Sequence, residues 1–278
     1  MTHIPDDLML ESDIVFNTNP TRPLTLHLLR PRAEADVPRP LVVWIFGGAF
    51  MMGDKNSGLP HLIPLAQRGY ACAALEYRYS SEALFPAQIE DCKCGIRFLR
   101  AHSQQYNLDP NRIGVWGPSA GGHLSAMLGT TGDVSKLEGS GGWGETSSHV
   151  QAVCDFYGPT DFLAMDRAGS KQHHDAPDSP ESKLIGGPIQ EHPDLAARAN
   201  PITYIAAAPK LPPFLVVHGD ADPLVPFDQS ERLVAALEHV NANVTFQRIA
   251  GAGHGGPEFE TAEIVGLVHG FFDSHLRA

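Results

Sequence analysis

The stretch Val115–Leu124, "VWGPSAGGHL", runs from apolar residues through a proline and a serine into a sequence that suits a helix. Gly117-Pro118-Ser119-Ala120-Gly121 is a G-x-S-x-G pattern. Its glycines fit a strand-to-helix turn too tight for side chains beside the serine. Such a turn raises the Ser119 hydroxyl above the sheet and puts its amide at a helix start. Five-residue matches of this kind also arise by chance, and a serine before a helix is often only a cap. Context gives this one its weight: Ile113–Trp116 reads as strand and Ala120–Leu128 as helix, on the sides the turn requires.

Outward from this turn the alternation repeats. Toward the N-terminus, strand candidates Asp13–Phe16 and Leu24–Leu29 precede a proline-rich turn and the apolar run Leu41–Phe46, which suits a strand covered on both faces. A strand starting near Tyr70 follows, then a helix from Pro86 to about His102 whose Ile89, Ile96, Phe98 and Leu99 recur at helical spacing. Toward the C-terminus come a strand near Val150 and a stretch over about 158–208 broken by prolines, glycines and polar residues. Strand Phe214–Gly219, helix Gln229–Val240, strand Val244–Ile249 and a last helix from about Phe259 to His275 complete the chain. This alternation predicts an α/β fold: a mostly parallel central sheet with helices on both faces, one domain over residues 1–278, and a small lid-like insertion at about 158–208. In such sheets ligands bind beyond the carboxyl ends of the strands, so the turns after strands carry the chemistry.

Composition narrows the partners. A net charge of −12 without clustered Lys and Arg excludes nucleic acid as the expected ligand. No window approaches a membrane span, and "MTHIPDDLMLESDIVF" lacks the basic and apolar regions of a secretion signal, which points to the cytoplasm. Cys72, Cys92, Cys94 and Cys154 lack metal-ligand spacing, and Cys92 and Cys94 fall on different faces of a helix; buried free thiols are expected. His173 and His174 with Asp175 and Asp178 read as a solvated polar loop rather than a metal site.

A serine hydroxyl needs an imidazole to take its proton and a carboxylate to orient that imidazole. Of fourteen histidines, His254 in "GAGHGG" follows a strand and is flanked by glycines that let a loop pass close to a site. His123 reads as structural, and His218 as a hydrogen-bonding residue beneath the site. The turn "DADPLVP" after strand Phe214–Gly219 offers Asp220 and Asp222; Asp222, further along the loop, is preferred, with Asp220 bracing the turn. Asp161 falls in the wrong place in the chain order, Ser119, Asp222, His254.

With these pieces in place the chain resembles an α/β-hydrolase, and more narrowly the carboxylesterases of the acetyl esterase/lipase group, similar to bacterial feruloyl and acetyl-xylan esterases. The resemblance rests on "FGGAFMMGDK", "YRYSSEALFPAQIEDCKCGIRFLR", "DPNRIGVWGPSAGGHLSAMLG", "FYGPTDF", "HGDADPLVP" and "GAGHGG", and covers nearly the whole chain from about Asp13. It implies ester hydrolysis without metal or organic cofactor, with Ser119, Asp222 and His254 as the triad and the Gly48, Ala49 and Ala120 amides as the oxyanion hole. The family's glycine turn usually begins with histidine; here Phe46 stands there and cannot make that polar contact. Phe50 and Met51 are candidates for lining the substrate pocket. The expected substrate is a small-molecule or oligosaccharide ester, short-chain or aryl, with acetyl or feruloyl esters of plant polysaccharides as the narrower expectation. A homodimer is allowed. An aryl-formamidase-like amide hydrolase and a non-catalytic small-molecule receptor are the alternatives.

Overall fold

A computed structural model of the chain describes residues 2–18 and 21–277; the expected domain limits, 1 and 278, lie outside them. Eight strands form one sheet: β1 (Leu8–Thr18), β2 (Pro23–Pro31), β3 (Arg39–Ile45), β4 (Ala71–Leu75), β5 (Leu108–Pro118), β6 (Ala152–Phe156), β7 (Phe214–Gly219) and β8 (Val244–Ile249). The spatial order is β1-β2-β4-β3-β5-β6-β7-β8. β1, β2 and β4 pair antiparallel, and every pairing from β4 to β8 is parallel. The mostly parallel sheet expected from the alternation is therefore observed, with an antiparallel edge.

The apolar runs became the central strands for the expected reason. Leu41, Val42, Val43 and Ile45 of β3 and Phe214 to Val217 of β7 are wholly inaccessible to solvent, because helices cover both faces. β8, at the edge, mixes partly buried and exposed residues.

Nine α-helices are described: α1 (Leu59–Gln67), α2 (Ala87–Ala101), α3 (Ser103–Tyr106), α4 (Ala120–Thr130), α5 (Pro180–Ile185), α6 (Pro193–Ala199), α7 (Ile202–Ile205), α8 (Asp228–His239) and α9 (Ala262–Leu276). All eleven residues of α4 are buried. The segment over 158–208 is folded, carrying α5 to α7, with Phe162, Met165, Leu184, Ile189, Ala196 and Ala199 in the hydrophobic core. Among the described residues no helix is long and apolar enough to cross a membrane. All four cysteines are free and buried, and burial raises their thiol pKa values, that of Cys94 to about 11.

Candidate active site

Ser119 joins β5 to α4 with φ 55° and ψ −124°, left-handed backbone that a residue with a Cβ adopts only at a cost on the order of 1–3 kcal/mol. Packing on both sides holds it there. The Ser119 amide donates to the Phe156 carbonyl at 2.8 Å, and its own carbonyl accepts from the His123 amide at 2.9 Å. The flanking glycines are required by contact: a Cβ on Gly117 would lie 2.4 Å from the Ile45 carbonyl oxygen, and one on Gly121 only 2.0 Å from it. The G-x-S-x-G pattern thus records how closely β5 and α4 pass the end of β3.

His254 presents Nε2 to Ser119 Oγ at 3.0 Å and Nδ1 to Asp222 Oδ2 at 2.7 Å. A carboxylate on Nδ1 makes Nδ1 the donor and leaves Nε2 to accept from the serine hydroxyl. Asp222 Oδ1 accepts from the amides of Leu224 at 2.8 Å and Val225 at 3.0 Å. Burial would raise the Asp222 pKa, but hydrogen bonds from His218 and His254 outweigh it and hold this carboxyl well below the usual range. His218, fully buried, reaches Oδ2 from the other side at 3.2 Å; its Nε2 also faces the Val225 carbonyl at 3.0 Å, and its Nδ1 the Ser230 hydroxyl at 2.7 Å. Asp220 is turned away, bonded to the Gly251 amide and Arg248. His123 is buried on Phe162 with Nδ1 on the Pro159 carbonyl, and burial lowers its pKa to about 4, so it is neutral.

The glycine turn after β3 has positive φ at Gly48 (119°), Ala49 (53°) and Phe50 (61°). The Gly48 carbonyl accepts from the Met51 and Met52 amides, whereas the Gly48 and Ala49 amides have no acceptor among the described residues. Gly48, Ala49, Ser119, Ala120 and His254 line one cavity of about 360 Å³. Phe46 supports this loop by apolar means. Its ring, 2% exposed, stacks on Tyr77 at 4.4 Å, and its carbonyl accepts from the Tyr77 hydroxyl at 3.0 Å. Tyr79 Oη donates to the Gly53 carbonyl at 2.7 Å, and the Ser80 amide to the Phe50 carbonyl at 2.8 Å. The "YRYSS" segment after β4 is therefore the scaffold of the turn.

Two expectations are corrected. Phe50 lines the cavity, but Met51 does not; its neighbour Met52 does, because the tight turn closed on the Gly48 carbonyl rotates the chain by one residue. His174 is not solvated: it is 2% exposed, with Nδ1 on Glu181 Oε2 at 2.9 Å and Nε2 on the Leu224 carbonyl at 2.9 Å. Burial alone would lower its pKa, but Glu181 and that carbonyl raise it above the usual imidazole value. Around it, Lys171 N–H donates to the Pro223 carbonyl at 2.8 Å and Ser170 Oγ to the Leu224 carbonyl at 2.7 Å. This strap adds Gln172, His174 and Glu181 to the cavity wall. Tyr157, in the "FYGPTDF" segment but given no role by the sequence reading, packs edge-on against the His254 ring at 4.8 Å.

This geometry can be set beside known proteins. A model of the BD-FAE family matches residues 26–237. The chain belongs to the BD-FAE family. It is 33% identical to Esterase LipC of Mycobacterium tuberculosis over 244 residues, covering 87% of this chain and 59% of LipC. It is also 33% identical to the probable carboxylic ester hydrolase LipM of the same organism, over 76% of this chain and 48% of LipM. The chain thus spans about half to three-fifths of those relatives. Among solved structures, a truncated carbohydrate esterase from gut microbiota superposes with a TM-score of 0.87 at 30% identity, covering 97% of each chain. The fold of this BD-FAE chain is the α/β-hydrolase fold, as the resemblance implied.

Proposed function

We propose that this chain is a serine carboxylesterase. The observation that carries the reading is the hydrogen-bonded series from Asp222 through His254 to Ser119, facing a cavity that also holds the unpartnered Gly48 and Ala49 amides. Ser119 Oγ attacks the ester carbonyl while His254 Nε2 takes its proton. The tetrahedral oxyanion receives the Gly48, Ala49 and Ala120 amides, each such donor contributing roughly 2.7–4 kcal/mol to the transition state. His254 returns the proton to the leaving alcohol. Water, activated by the same imidazole, then releases the acyl group, and Asp222 keeps the imidazole in its Nδ1–H form throughout.

The polar wall of Gln172, His174 and Glu181 in a cavity of about 360 Å³ favours a short acyl chain or a hydroxylated alcohol over a long alkyl chain. Acetyl or feruloyl esters of plant polysaccharides fit that wall, as does the naming of a relative as a carbohydrate esterase. The test is Ser119→Ala with a chromogenic acetyl ester and a fluorophosphonate probe. Loss of both turnover and covalent labelling is expected, and a variant that still turned over would overturn the mechanism. Rates on methyl ferulate, acetylated xylan and N-formylkynurenine then separate ester from amide substrates.

A further inference from the structure

A second cavity, of about 330 Å³, lies against the first. The two share Pro118 and Tyr157, but Ser119 and His254 line only the first. The walls of the second are rings: Trp44, Trp116, Phe156, Tyr157 and Phe259. Trp44 meets Trp116 edge-to-face at 5.1 Å, Trp116 meets Phe156 at 5.5 Å, and Tyr157 meets Phe259 at 4.8 Å. His61 stacks on Trp44 at 4.7 Å, and its burial lowers its pKa, so it brings no charge at neutral pH.

The charged lining residues are all acidic. Asp54 and Glu260 are exposed at this cavity, and among the described residues neither has a Lys or Arg within ion-pair distance. The nearest basic residue in sequence, Lys55, is buried and committed to Asp13 and Glu76, both at 2.9 Å. His61 covers a face of Trp44 and the rings meet one another edge-on, so the negative potential here comes from the uncompensated Asp54 and Glu260 carboxylates, which repel anions and attract a cation with an apolar surface.

We infer that this aromatic cavity binds an organic ammonium group, the alkyl surface of the cation resting on the rings and its charge facing Asp54 and Glu260. The inference does not depend on the esterase reading. The rival occupant is a neutral hydroxylated ring, which would place oxygens near the Trp44 and Trp116 indole N–H groups, both buried without a hydrogen-bond acceptor among the described residues.

The test is a fluorescence titration of the full chain carrying Trp143→Phe, which leaves Trp44 and Trp116 as the reporters. The probes are choline, its uncharged carbon isostere 3,3-dimethylbutan-1-ol, and methyl β-xyloside. Choline is expected to bind about ten-fold more tightly than the isostere, a preference that ring and carboxylate contacts can supply. Asp54→Asn with Glu260→Gln should abolish that preference while leaving the isostere's affinity unchanged. The Asp54 side chain caps the following turn by accepting from the Asn56 amide at 2.7 Å, and an asparagine amide oxygen accepts there equally, so the fold is preserved. Failure of choline to bind, equal binding of the isostere, tighter binding of the xyloside, or an unaltered preference in the double variant would each overturn the assignment.

Discussion

The two loops that flank Ser119 are held by opposite means. On one side, the turn Phe46–Gly53 is fixed by ring stacking and by hydroxyls of Tyr77 and Tyr79 on its carbonyls, groups that do not ionise near neutral pH. On the other, the turn His218–Val225 is fixed by imidazoles and carboxylates: His218 and His254 on Asp222, and His174 with Glu181 on Leu224. The first loop presents backbone amides and needs only position. In the proposed mechanism the second moves a proton and needs charge as well as position. One side should therefore fail when its shape is disturbed, and the other when its protonation is.

The largest effect is expected on the charged side. Asp222→Asn keeps the size of the side chain but presents an amide where His254 Nδ1–H needs an acceptor, favouring the wrong tautomer. Turnover of a chromogenic acetyl ester should fall by about 10⁴-fold in kcat with little change in KM, the size of such a defect where a Ser-His-Asp triad operates. A loss below about ten-fold would mean that Asp222 only braces its turn, and the contrast between the loops would collapse.

Next comes the shape of the other loop. In Gly48→Ala the new Cβ would fall 2.1 Å from the Met52 carbonyl oxygen at a φ of 119°, so the turn must move and its amides with it. A drop of about 10²–10³ in kcat is expected, equal at every pH between about 6 and 9, since no titrating group is touched. A pH-dependent loss would show that the two loops are coupled.

How much of this was legible beforehand follows the same division. The Ser119 turn was readable because its constraint is local: Gly117 and Gly121 are close neighbours of the residue they expose. The strands from β3 to β7 were readable because burial on both faces writes a continuous apolar run. Helix α1 is hard to read in the sequence because Pro60 and Pro64 interrupt it, yet Pro60 sits in the first turn, where its missing N–H is no loss. The contacts of the scaffold residues carried no local signal. Tyr77 meets Phe46 across 31 positions of chain, and His174 meets Leu224 across 50, so only the fold brings them together. That is why Phe46 looked like a defect in the sequence and is a packed ring in the structure.

A smaller effect should appear in stability rather than rate. The His174 pKa is raised in the folded state, so its pairing with Glu181 stabilises the strap fully below the ordinary imidazole value. That contribution is lost as pH rises through the raised one. Glu181→Gln keeps the hydrogen bond and removes the charge. The variant should melt about 2–4 °C below the parent near pH ~6, the shift that about 1 kcal/mol makes in a chain of this size. The gap should close by about pH 9, well above the ordinary imidazole range. A constant difference across that range would mean the pair works by packing, like the loop opposite.

The smallest and most discriminating effect is at Tyr77. Tyr77→Phe keeps the ring stacked on Phe46 and deletes only the hydroxyl that donates to the Phe46 carbonyl at 3.0 Å. The cost to folding should be modest, about 1 kcal/mol for one lost hydrogen bond, because the carbonyl is left buried beside an apolar edge. The rate is the more informative readout. If the hydroxyl merely stabilises the fold, kcat is untouched. If it sets where the Gly48 and Ala49 amides point, kcat falls by about three- to ten-fold while KM holds, because an oxyanion contact acts in the transition state and not on bound ester. The second outcome is expected, with a pH profile parallel to the parent's, since the Tyr77 phenol is buried and its pKa lies well above the ordinary value. A changed KM at constant kcat would assign the Tyr77–Phe46 stack to shaping the substrate pocket instead.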